Sequence, residues 1–468
     1  MGGKKQKFHK FIENLEIVSA GAEGHSIGRY DNQVVFVKYA APGDVVDVRV
    51  INKRKKFLEG QIIRFHQKSP QRIDPFCAYF TKCGGCKWQH LSYDNQLQFK
   101  QQQVIDALER LGGIQGFEVL PIVGSSETTA YRNKLELTFS DRAWQLEFDA
   151  NSDKPIPKAL GFHMPGQFNK LLDIEYCHLM PEYVNTMQRG IKDYCITNNV
   201  SFHDIVKHEG LMRNIIFRCN TKGEWMILVS FYKPEMEHIL GVMDYIKHAF
   251  QNVVSLVYVI NEKQNDTLTG CEVILYDGEG YLTETLADKT YKIHPLSFFQ
   301  TNSRQAKVLY DLTKQFAGLS GHELVYDLYT GTGSIAIYIA DLAKKVVGIE
   351  YVEEAIVDAK ANALLNGVSN CDFYAGDMKE VLSLEFIEKH GKPDVVITDP
   401  PRDGMHPDVV KKLLEAAPER VVYVSCNPAT QARDAKLLAE KYTLVKIQPV
   451  DMFPHTHHVE NIALFKLN

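Results

Sequence analysis

No stretch constrains the fold more than 324-LVYDLYTGTGSIAIYIADLAKKVVGIE-350: an apolar run, a glycine turn, a helix-length segment and a second apolar run. The alternation then continues with a helical segment near 353–366, the strand-like 394-DVVITDPPR-402, a helix near 407–417, 420-RVVYVSCNP-428 and a helix near 430–440. Short apolar strands alternating with helices predict a doubly wound parallel sheet. Ligands of such sheets gather at the carboxyl ends of the strands, so the residues that close each strand matter most.

In 327-DLYTGTGSIA-336 the glycines at 331 and 333 lack a Cβ and let the backbone approach a ligand closely. The next strand ends in Glu350, 17 residues past Gly333, where a carboxylate can accept both hydroxyls of a ribose. Ala336 stands at the third position of the fingerprint, which dinucleotide enzymes also tolerate, so the turn alone does not separate NAD from S-adenosylmethionine. Asp377 follows the third strand, where an acid can meet an adenine amino group, and Asp399 opens 399-DPPR-402 at the end of the fourth. In 425-SCNPAT-430, Asn427-Pro428 ends a strand and opens a helix, which puts the Cys426 thiol at a helix N-terminus, where the dipole favours thiolate. Near the end of the chain, 451-DMFPHTHHVENIALF-465 holds a histidine-rich turn followed by Glu460, a candidate base. Adjacent His457 and His458 would point to opposite faces of a strand, so a metal on His455, His457 and His458 requires a special turn.

The amino-terminal part reads differently. From about 14 to 66, short β-rich runs with period-two alternation, as in 44-DVVDVRV-50, are separated by glycine turns, and predict a small barrel. The net charge of −5 hides an asymmetry here. Residues 1–72 hold 14 Lys and Arg against 7 Asp and Glu, a local +7 that leaves −12 on the rest. With 53-KRKK-56 inside it, this module has the electrostatic footprint of a phosphate-binding surface. Residues 118–280 read as mixed strands with few helices.

Nine cysteines in 468 residues are too thinly spread for a disulfide framework. Three of them cluster as C-x5-C-x2-C at Cys77, Cys83 and Cys86, with Cys177 some ninety residues on, a set that suits either a [4Fe–4S] cluster or zinc. No apolar run approaches the length of a membrane span and no secretory signal is legible, so a cytoplasmic protein without membrane attachment is expected.

Taken together, 298-FFQTN-302, DLYTGTGS, DPPRDG, SCNPAT and FPHTHHVE resemble the RNA (uracil-5-)-methyltransferase family, and more closely its bacterial 23S rRNA branch with a TRAM domain and an iron–sulfur cluster. The TRAM likeness rests on a Gly24–Gly28 turn, the Pro42-Gly43-Asp44 turn and the basic strand after it, and OB-like barrels of this kind bind RNA. The resemblance implies a Rossmann-like α/β methyltransferase domain over 285–468, a mixed α+β central domain over 68–284 and an OB-like TRAM barrel over 1–67. It implies S-adenosylmethionine as cofactor, held by Gln300, Tyr329, Ser334, Glu350, Asp377 and Asp399, with Tyr329 in place of a frequent Phe and Ser334 in place of Asn. Cys426 is then the nucleophile, Glu460 the base and Phe298 a stacking platform for the target base. Cys77, Cys83, Cys86 and Cys177 hold a closed [4Fe–4S] cluster.

The chemistry explains the thiol. Uracil C5 is too weak a nucleophile to attack a sulfonium methyl unaided, and thiolate addition at C6 gives it carbanion character. Arg402 after the two prolines, where amine methyltransferases carry an aromatic residue, disfavours amino-group targets. The lack of a nearby cysteine disfavours cytosine. A monomer acting on 23S rRNA is expected. The alternatives are a tRNA enzyme of the same family and a non-catalytic RNA-binding protein with a metal fold, which would need neither SCNP nor DPPR.

Overall fold

The computed structural model describes residues 10–145 and 156–468. The chain divides into two compact units, neither continuous in sequence. The first contains the amino-terminal residues through Ser125, Cys426–Lys436 and Lys446–Asn461; the second contains Ser126–Ser425, Leu437–Val445 and Ile462–Asn468.

The first unit opens with a closed five-stranded barrel, built from Lys10–Ala20, His25–Tyr30, Gln33–Lys38, Val45–Lys53 and Phe57–Gln67. Period-two burial fills it with Ile12, Leu15, Ile17, Val35, Val37, Val46, Val48, Val50 and Leu58. The expected Gly24–Gly28 turn is shorter than predicted. Gly24 is the turn residue, at φ +75°, whereas Gly28 lies within a strand, where a Cβ would stand 2.8 Å from Leu15 and 2.9 Å from the Glu16 carbonyl. The Pro42-Gly43-Asp44 turn is held by the fully buried Asp44 carboxylate. It accepts from the backbone of Ala41 (2.6 Å) and Ser69 (2.9 Å) and pairs with Arg72 at 2.6 and 2.8 Å. The exposed 53-KRKK-56 run forms the hairpin between the last two strands. Beyond the barrel, the unit contains an irregular cysteine-bearing loop and the helix Tyr93–Asp106, which ends in one wide π-type turn, Ala107–Leu111.

The second unit contains a mixed seven-stranded sheet. Its central strands, Met212–Cys219 and Trp225–Phe231, are buried at every position. The helix Glu182–Thr197 buries Val184, Met187, Ile191 and Cys195, a helical stripe that joins this core. The doubly wound sheet follows. Its parallel strands stand in the order Cys371–Ala375, Lys345–Glu350, Leu324–Leu328, Val395–Thr398 and Arg420–Ser425. Strand order reverses between Leu324–Leu328 and Val395–Thr398, the switch point at which such sheets bind ligands. In the first unit, Glu118 and Val119 pair in parallel with Lys446 and Ile447. Among the described residues, no helix is long and apolar enough to cross a membrane.

Candidate functional site

The candidate residues fall into two groups, one in each unit. In the second unit, the strand Leu324–Leu328 runs into Tyr329 at φ +63°, then Gly331 at +55° and Gly333 at +77°. The two glycines serve different ends. A Cβ on Gly333 would press on Ala359 and Phe373 at 3.1 Å, so this glycine closes the turn onto its own packing. A Cβ on Gly331 would meet nothing within 4 Å, which leaves an open approach to the backbone. Glu350 stands at this turn: one carboxylate oxygen accepts from the Gly331 N–H at 3.1 Å and the other from Val352 at 3.0 Å.

Asp399 lies across the switch point, its N–H donating to the Leu328 carbonyl at 3.3 Å. Burial, and then the charge of Asp327, raise the Asp399 carboxyl to about 7. Asp327 is 1% exposed and is raised to about 7 by burial, against hydrogen bonds from Thr330 and the Ala336 N–H, and with Glu350 adding to the rise. One oxygen of Asp327 is buried with no hydrogen-bond partner. Sequence reasoning missed Asp327. Its signal was an acid inside an apolar strand immediately before the glycine turn.

Asp377 caps the short helix Met378–Val381 by accepting from the Lys379 N–H at 2.9 Å, a bond that holds its exposed carboxyl below the usual range. Gln300 is buried, and its carbonyl accepts from the Asn133 side chain at 2.9 Å. Asn133 also donates to Ser303 Oγ (2.8 Å) and, from its backbone, to Thr301 (2.9 Å), so it pins the loop that carries Gln300. The Ser334 hydroxyl is engaged with Tyr310 at 3.0 Å. Phe298, on the same loop as Gln300, is 71% exposed.

In the first unit, Cys426 is half-buried and precedes the helix Pro428–Leu438. Asn427 caps that helix: its side chain accepts from the Ala429 N–H at 3.1 Å, its carbonyl from Gln431 at 3.1 Å, and Pro428 fills the first helical position. The thiol therefore sits one residue ahead of a capped helix start, as the motif predicts. Glu460 is 5% exposed at the start of its strand. Gln431 on this helix and Asn461, next to Glu460, are hydrogen-bonded side chain to side chain at 2.7 Å.

Of the proposed cluster cysteines, Cys77, Cys83 and Cys86 belong to the first unit and Cys177 to the second. Cys77, Cys83 and Cys86 are half-buried on a loop of tight turns, with Phe80 N–H donating to Cys77 and Cys83 N–H to Tyr79, both at 3.0 Å. Among the described residues, no group of three or more His, Cys, Asp or Glu is placed to hold a metal ion. His455 is buried against Gln96, while His457 and His458 pack ring to ring at 4.1 Å.

A Rossmann-type sheet with carboxylates at its glycine turn and its switch point defines a class of nucleotide- or cofactor-binding domains. Residues 274–467 match the family described as tRNA (Uracil-5-)-methyltransferase, and residues 14–63 match the TRAM domain. An uncharacterized RNA methyltransferase of Porphyromonas gingivalis is 50% identical over 97% of this chain and all of its own. One from Bacteroides thetaiotaomicron is 48% identical over 95% of this chain and 99% of its own. Among solved structures, the Pyrococcus abyssi tRNA (uracil-54, C5)-methyltransferase in complex with S-adenosyl-L-homocysteine aligns with a TM-score of 0.75 at 29% identity, over 96% of this chain and 100% of that one. The chain belongs to the RNA (uracil-5-)-methyltransferase family and carries a TRAM domain.

Proposed function

We propose that the protein transfers a methyl group from S-adenosylmethionine to C5 of a uridine in RNA, through a covalent bond between Cys426 Sγ and C6. The observation that carries this reading is the capped helix start immediately behind Cys426, together with the link from Gln431 on that helix to Asn461 beside Glu460. The helix terminus favours the thiolate that adds to C6. The resulting enolate attacks the cofactor methyl, and Glu460 then takes the C5 proton so that C5=C6 reforms and the thiolate leaves.

Asp327, Asp399 and Glu350 supply the electrostatics for the cofactor. S-adenosylmethionine carries a sulfonium and an ammonium, and carboxyls whose ionisation is opposed by burial and by neighbouring acids are stabilised in the ionised form by a cation. Glu350 is the proposed ribose acceptor, Asp377 the adenine contact, and Gln300 and Tyr329 further contacts. Ser334, already bonded to Tyr310, is the weakest of the set. Phe298, well exposed, suits stacking on an unpaired base.

The substrate is proposed to be 23S rRNA, on the resemblance to TRAM-bearing enzymes with a cysteine cluster. A second reading, tRNA, is favoured by the Pyrococcus abyssi likeness, because that tRNA enzyme aligns over nearly the whole of this chain. The cysteine set is proposed as an iron–sulfur site; iron and sulfide analysis of anaerobically prepared protein decides it, and stoichiometric zinc rules for the rival metal. Methyl transfer needs no electron from it.

One experiment tests the chemistry. Cys426→Ala should abolish methylation without any covalent RNA adduct. Glu460→Gln should accumulate a methylated adduct that survives denaturing gels. An adduct in Cys426→Ala would move the nucleophile elsewhere. Mass spectrometry of rRNA and tRNA from a deletion strain separates the two substrates.

A further inference from the structure

The first unit contains a buried ion pair that the chemistry above does not use. Lys100, on the helix Tyr93–Asp106, and Asp451 are both wholly buried and meet at 2.6 Å. A buried pair of this kind is a poor source of stability, since apolar residues of similar volume serve as well, but it fixes geometry. What it fixes here is the turn before Glu460. Lys100 Nζ also donates to the Phe453 carbonyl at 3.1 Å, and Asp451 Oδ1 accepts from the Phe453 N–H at 3.0 Å. Asp451 Oδ2 accepts from the Tyr93 hydroxyl at 2.9 Å, which itself accepts from the Ser125 N–H.

One turn of helix away, Gln96 grips the same segment. Its Oε1 accepts from the His455 N–H at 2.8 Å, and its Nε2 lies 3.2 Å from His455 Nδ1. The His455 carbonyl accepts from both Lys87 and Trp88, at 2.8 and 3.0 Å. His455 has φ +65°, a conformation unfavourable for a residue with a side chain, which persists only where its surroundings over-determine it. The grip carries on toward Glu460: Thr456 Oγ1 donates to the Phe453 carbonyl and accepts from the His458 N–H.

We propose that Lys100, Asp451 and Gln96 are positioning residues for the proton-removal step, holding the 451–458 turn so that the Glu460 carboxylate meets the C5 proton. This rests on the reading of Glu460 as the base. In that step the C5–H bond breaks toward Glu460, its electron pair forms C5=C6, and the C6–S bond breaks with its pair returning to Sγ. Thiol addition and methyl transfer come earlier and do not use the turn.

The test separates early from late steps in Gln96→Ala, the double variant Lys100→Met/Asp451→Asn, Glu460→Gln and the wild type. The double variant removes both charges, so no unpaired charge is left buried. RNA carrying 5-fluorouridine at the target traps the adduct after methyl transfer, because fluorine does not leave as a proton, and so reports only early steps. Ordinary RNA reports release of the methylated adduct. Both positioning variants should trap at the wild-type rate but release methylated RNA roughly 10- to 100-fold more slowly, the scale of a misplaced catalytic group. Equal slowing of trapping and release would make the network a general scaffold and overturn the proposal, as would release at the wild-type rate. Normal turnover in Glu460→Gln would remove the base itself, and the proposal with it. If the double variant does not fold, Gln96→Ala, which leaves the ion pair intact, decides alone.

Discussion

Gln431 and Asn461 exchange hydrogen bonds in a fully buried setting: Asn461 Nδ2 donates to Gln431 Oε1 at 2.7 Å, and Gln431 Nε2 donates to the Asn461 carbonyl at 3.3 Å. One residue lies on the helix that starts behind Cys426, and the other follows Glu460 in sequence. The segments carrying the proposed nucleophile and the proposed base therefore share one polar joint.

Gln431→Ala should destabilise the protein by about 1–3 kcal/mol, because it strands buried polar groups of Asn461. It should also slow single-turnover methylation without weakening cofactor binding, whose proposed contacts lie elsewhere. Chemical denaturation and calorimetry of cofactor binding check both parts. Loss of cofactor affinity in folded protein would contradict the assignment.

The glycine turn offers a paired comparison. Gly333→Ala places a methyl 3.1 Å from Ala359 and Phe373 at φ +77°, so it should lower the thermal midpoint measurably. Gly331→Ala puts its methyl in open space and should cost less stability, yet should weaken S-adenosylmethionine binding by occupying the ligand's approach. Equal effects of both on binding would show that the approach lies elsewhere.

The raised carboxyls fix a sign for pH. Asp327 and Asp399 keep their protons to about 7, while the unfolded chain releases them in the ordinary carboxyl range. Between those limits the folded state binds more protons, so stability without ligand falls as pH rises. A cationic ligand favours the ionised forms, so S-adenosylmethionine affinity should increase as pH rises through about 7. Asp399→Asn should flatten that dependence; a calorimetric titration series across this range reads it directly.

The barrel closure behaves in the opposite sense. Burial opposes ionisation of Asp44, but the hydrogen bonds from Arg72, Ser69 and Ala41 outweigh it and hold the carboxyl below its usual range. Its contribution to stability is therefore complete above the ordinary carboxyl range and is lost as pH falls through its lowered native value. Arg72→Met leaves the buried Asp44 without its cation and should cost about 3–5 kcal/mol. Denaturant unfolding of both proteins at neutral pH gives the difference.

Sequence reading succeeded where a structural feature is local. Asn427-Pro428 states its own cap, and the helix expected near 430–440 begins and ends two residues earlier, as Pro428–Leu438. The glycine turn and Glu350 were likewise legible, because strand, turn and strand lie within 27 residues. What was illegible depends on separation. Lys100 and Asp451 are 351 residues apart, and Gln96 and His455 are 359, so neither partner announces the other. Asn133 reads as an ordinary polar residue until its three bonds to the Gln300–Ser303 loop are seen.

The first unit is assembled from three pieces of chain, and the last of these, Lys446–Asn461, emerges from the ribosome only after Ser126–Ser425, the bulk of the second unit, has been made. The barrel closes with its own strands, but the helix Tyr93–Asp106 must keep a buried Lys100 waiting for Asp451 throughout that interval. Contacts this distant in sequence are slow to form. Nascent chains halted before residue 446 should accordingly hold a folded barrel beside a protease-sensitive helix, and catalytic competence should arrive all at once, when residues 446–461 join it.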